Sequence, residues 1–154
     1  MMVRGLRSLI AACALGLVAA CSHTPPDATP EGAVREFIER MERVDGDPER
    51  ARAAYELLSA STRENLIERA RRASHASGRP MKPEEMLAPS RFVLLFRPHQ
   101  MQARITGNRA VVDVTGMDPN VDRAQVPLVR EDGRWRVELD LPTLPPVEMR
   151  PTGN

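Results

Sequence analysis

The chain has 154 residues, 22 basic and 21 acidic, with a formal charge of +1. So even a balance gives no electrostatic reason to seek nucleic acid, whose partners gather positive charge on one face. Lys82 is the only lysine, so the basic residues are almost all arginine, which reflects base composition and implies no partner.

The first twenty residues have the parts of a secretory leader. Arg4 and Arg7 supply positive charge, and Leu9 to Ala19 form an apolar stretch. That stretch is far shorter than the roughly 20 residues needed to span a bilayer core. It closes on Val18-Ala19-Ala20-Cys21. Small side chains at 19 and 20 let extended backbone enter a peptidase cleft. The string resembles the lipobox of bacterial lipoproteins. The resemblance implies a diacylglyceryl thioether on Cys21, cleavage before it and acylation of the new amine. Two or three acyl chains hold a protein to a bilayer durably, whereas one holds it marginally. Cys21 is therefore the expected lipidation site, and the chain is expected in the cell envelope. Ser22 after Cys21, in place of Asp, favours the outer membrane facing the periplasm; the outer leaflet of the cytoplasmic membrane is the alternative. Cys13 leaves with the leader, so no disulfide, thiol nucleophile or cysteine metal site is expected. The remaining 134 residues carry one net negative charge and suffice for one domain.

Residues 21–30 contain three prolines and read as an extended membrane tether. A first helix begins with Pro30 at its first position behind a Thr29 cap. Ala33, Val34, Phe37, Ile38, Met41 and Val44 recur at helical spacing, and Gly46 ends it. Asp47-Pro48-Glu49 restarts a second helix, with Ala51, Ala54, Tyr55 and Leu58 as its buried stripe. Ser61-Thr62-Arg63-Glu64 reads as a capping box for a third. Leu66, Ile67, Ala70 and Ala73 share one side of that helix, and Gly78 stops it. Pro83 to Leu87 adds one more turn. Phe92-Val93-Leu94-Leu95-Phe96 is either a buried strand or a helix end, because periodicity does not separate them.

From residue 100 the period becomes two. Met101, Ala103 and Ile105 alternate with polar neighbours, Gly107-Asn108 turns the chain, and Ala110 to Thr115 returns. Val126, Leu128 and Val129 lead to a second turn at Glu131-Asp132-Gly133. Trp135, Val137 and Leu139 then face inward, and Arg134, Arg136, Glu138 and Asp140 outward. Residues 142–154, with four prolines, read as a flexible tail. Residues 31–141 therefore form a single α+β domain, with N-terminal helices packed on a curved antiparallel sheet.

Pro30-Glu31 opening the Phe37/Ile38 helix, Gly46-Asp47, and the run from Leu128 through Asp132-Gly133 to Trp135 and Val137 resemble the nuclear transport factor two-like superfamily. The resemblance implies a cone whose helices close over the concave sheet around a pocket. Members use that pocket for enzymes such as ketosteroid isomerase, or for binding alone, so the fold does not settle the function.

Dense catalytic or phosphate-binding motifs are missing from the sequence. Asp113 lies between Val112 and Val114, and alternation turns it outward. His75 and His99 have no neighbouring Asp or Ser to build a relay. Arg69, Arg71, Arg72 and Arg79 could meet lipid phosphates, but Glu64 and Glu68 beside them favour a solvated helix face. Tyr55, Phe92, Phe96, Met101 and Trp135 are the candidate pocket lining, competing with simple core roles. The sequence thus describes a membrane-anchored envelope lipoprotein that binds a small apolar ligand or a partner protein. It is expected to act without catalysis, cofactor or metal, and as a monomer. The alternative is a small lyase or isomerase using the cone pocket.

Overall fold

The computed structural model describes residues 24–44, 46–87 and 94–145. The leader, Cys21, Phe92 and the tail beyond residue 145 lie outside them.

Helix α1 (Pro30–Glu42) begins where expected: the Thr29 hydroxyl oxygen accepts from the Gly32 N–H at 3.1 Å. Helix α2 (Pro48–Tyr55) has Asp47 as its cap, the carboxylate accepting from the Glu49 N–H at 3.0 Å. Proline at the first position of each helix removes an N–H that would have no partner.

Helix α3 (Ala60–Ser77) departs from expectation. Its cap is the fully buried Ser59, which accepts from the Thr62 N–H at 3.2 Å, and the Ser61-to-Glu64 box does not form. The cause is long-range. Ser59 N–H donates to the Val137 carbonyl and Val137 N–H to the Leu57 carbonyl, each at 2.9 Å. Residues 57–59 are thereby held on a strand edge, and the helix starts as soon as the chain leaves it. The acid at this helix start is Glu131, whose carboxylate accepts from the Ala60 N–H at 2.9 Å. The buried stripe of α3 is Thr62, Leu66 and Ala70. Ile67, expected beside them, lies one step around the helix and is 50% exposed.

Strands β1 (Gln100–Thr106), β2 (Arg109–Thr115), β3 (Arg123–Glu131) and β4 (Arg134–Val137) form an antiparallel meander in the order β1-β2-β3-β4. Asp132 and Gly133 (φ 49° and 77°) make the two-residue turn between β3 and β4, a left-handed pair that suits strand twist. Pairing ends at Leu128 with Val137. One step on, Glu138 N–H reaches the Pro127 carbonyl at 2.9 Å, but proline has no N–H to return.

The core lies between α1 and the sheet. Val34, Phe37, Ile38 and Met41 meet Val112, Val114, Leu128, Trp135 and Val137, all buried. Met101, Ala103 and Ile105 share this face through their pairing with Val114, Val112 and Ala110. Ile105 is nonetheless 57% exposed, because β1 runs on past the start of α1. Leu139 falls beyond β4, its N–H held by the Thr62 hydroxyl at 3.1 Å.

Two terminal segments are more ordered than their proline content suggests. Within the expected tether, Pro26–Ala28 form a 3-10 turn whose Asp27 is 4% exposed. Arg136 and Arg134 donate to its carboxylate at 2.7 and 3.3 Å. Arg136 was expected on an open sheet face; its side chain is only 19% exposed. Gly32 allows this docking, since a Cβ there would collide with the Pro26 carbonyl. At the other end, Arg69 and Arg72 donate to the Pro142 and Pro145 carbonyls, which brings the start of the proline-rich tail alongside α3.

Candidate functional site

Among the described residues, a groove of about 610 Å³ lies between α1 and the segment entering β1. One wall is the α1 stripe Arg35, Ile38, Glu39 and Glu42, whose three- and four-residue spacing places them on one face. The other wall is Arg97, Pro98, His99 and Met101. The floor is apolar, formed by Ile38, Pro98 and Met101, and the charged groups stand exposed at the rim.

The two walls are tied at one end. The Glu31 carboxylate accepts from the Ala103 N–H at 2.9 Å. Ala103 lies on β1, the sheet edge, so this N–H points away from β2, and alternation aims the N–H and C=O of Met101 the same way. A second cavity of about 420 Å³, beside Val44, Pro48, Ala51 and Leu87, is more apolar but has no exposed strand edge along it.

Of the candidate lining residues that are described, Met101 alone stands on the groove. Tyr55 and Phe96 are half-buried against the core, and Trp135 is within it, with the Arg130 guanidinium 5.9 Å from its ring centre. Burial pushes the Tyr55 phenol above its ordinary pKa and Glu84 adds to that, while Arg63 acts against it. Phe92 lies outside the described residues. Asp113 is on the outer sheet face, held by Gln125 at 2.7 Å and Arg104 at 3.1 Å. His75 and His99 are exposed.

Among the basic residues of α3, Arg71 and Arg72 both bind Glu68 at 2.7 Å. Their hydrogen bonds hold the Glu68 carboxyl down to about 2. Arg79 stands 3.8 Å from Glu85.

Arg35, Glu39 and Glu42 escaped the sequence reading because charges on a helix's polar side are ordinary, and Arg97 because it lies in a connecting segment. One signal was available. Arg35 precedes Glu39 by four residues, the order in which the helix supports an ion pair less well. The buried carboxylates Asp27 and Glu84 were also missed, since the first falls in the expected tether and the second in the short turn from Pro83 to Leu87. No family model, curated protein or solved structure matches this chain.

Proposed function

We propose that the chain is a lipoprotein of the cell envelope, anchored through Cys21, that binds a partner without transforming it. The anchor rests on the leader and the Val18-Ala19-Ala20-Cys21 string. The binding role rests above all on one observation: the face of the sheet under α1 is filled by Val34, Phe37, Ile38 and Met41. A cone pocket would hold its ligand there. Catalysis by acid or base would call for an ionisable group held in a water-poor cleft. Of the buried carboxylates among the described residues, Asp27 is committed to two arginines and Glu84 lines the smaller cavity, while the groove's charges are exposed. Of the two occupants considered, a small apolar ligand and a partner protein, the charged rim favours the protein.

The nuclear transport factor two-like cone remains our proposed fold family. Support comes from helices lying over an antiparallel meander and from Trp135 entering the core directly after the Asp132-Gly133 turn. A lyase or isomerase is the second reading, drawn from His99 sharing a groove with Glu39 and Glu42.

Membrane fractionation tests the first proposal. The natural chain should stay in the membrane pellet through salt and alkaline washes, and Cys21→Ser should yield a soluble or uncleaved form. Release of the natural chain by those washes would defeat the anchor. A turnover reaction lost in His99→Ala would establish the second reading instead.

A further inference from the structure

Resting on the partner-protein reading, we infer that the groove between α1 and β1 captures an extended peptide segment, which adds to the sheet beside Met101. Three observations carry this. First, among the described residues β1 is an edge strand, and an unpaired edge offers backbone donors and acceptors to an added strand. Glu31 occupies the Ala103 N–H and fixes where an added strand must stop, and no described residue takes the Met101 N–H.

Second, the groove has an apolar floor for one side chain, with charges of both signs around it. Among the described residues, none of Arg35, Glu39, Glu42 and Arg97 makes an ion pair. Along α1 from the Glu31 end, Arg35 comes first and Glu42 last, and the helix C-terminus adds partial negative charge beside Glu42. The matching peptide carries an acid toward Arg35, an apolar residue over Ile38 and Met101, and a base toward Glu39 and Glu42.

Third, the lengths agree. Arg35 to Glu42 rises about 10 Å along the helix. In an extended peptide, the first and fifth residues are about 13 Å apart with the third between them on the same face.

Fluorescence anisotropy on the full lipoprotein in detergent micelles tests the inference. The probe is a labelled, end-blocked pentapeptide, Asp-Val-Leu-Val-Lys, compared with the same peptide with its charges exchanged. The first should bind at least tenfold more tightly than the second. Exchanging the charges of the protein by Arg35→Glu with Glu42→Arg should reverse that preference. Met101→Pro, which removes an outward edge N–H that no strand neighbour uses, should weaken binding about tenfold while circular dichroism stays unchanged. Equal binding of both peptides, or binding of neither, overturns the peptide site. Either result is independent of the anchor, because Cys21→Ser leaves the groove intact and is read by fractionation.

Discussion

Asp27 sits between two arginines that follow it by more than a hundred positions, so nothing in its own neighbourhood marks it for burial. Its removal by Asp27→Ala leaves Arg136 half-buried without its counter-charge. Urea denaturation should show a loss of about 2–3 kcal/mol, as for a hydrogen-bonded charge pair broken on one side. Ser59 makes the same point for a cap. Thr29 and Asp47 were legible because their capping is local. Ser59 was not, because its conformation is set by pairing with Val137. Ser59→Ala should therefore cost about 1–2 kcal/mol, whereas Ser61→Ala should cost well under that. The reverse order would return the cap to Ser61. Glu68 bears on pH. Its folded pKa of about 2 lies below the ordinary 4.5. Its ion-pair contribution is therefore complete above about pH 4.5 and fades as pH falls toward 2. Carbon-13 titration of the Glu68 carboxyl should give that low midpoint at low salt, and Arg71→Ala with Arg72→Ala should restore it toward 4.5.

At the scale of elements, periodicity carried most of the fold. The stripe of α1, both hairpins and the outward face of Asp113 follow from counting by 3.6 or by two. What counting missed were the ends, where elements outrun their partners. Ile105 is exposed because β1 continues beyond α1, and β4 stops at Val137 because Pro127 cannot donate. Gly32 is the clearest case of a residue explained by a neighbouring element. Glycine in a helix is unfavourable by about 1 kcal/mol relative to alanine, yet here it admits the Pro26 carbonyl. Gly32→Ala should displace the Pro26–Ala28 turn and expose it to protease while α1 and the sheet keep their amide protection. A turn that stays protected would show that the close approach is not what seats it. The groove was illegible for a related reason: its two walls are far apart in sequence, and each taken alone is an ordinary polar face.

For the whole molecule, the docked turn bears on the proposed anchor at Cys21. With residues 26–28 seated on Arg134 and Arg136, the tether from Cys21 shortens to Cys21–Pro25, which spans at most about 17 Å. The domain would then stand within roughly its own radius of the bilayer. With Cys21 lipidated as proposed, the start of α1 and the Arg134 end of β4 would lie nearest the lipid. The groove extends along α1 toward Glu42, away from the proposed anchor point. This arrangement depends entirely on the lipid at Cys21. Intact-mass analysis of the protein purified from membranes tests it most directly. The expected mass is that of a chain beginning at Cys21 and carrying a diacylglyceryl group and an amide-linked acyl chain. A mature chain beginning elsewhere, or an unmodified Cys21, would contradict it.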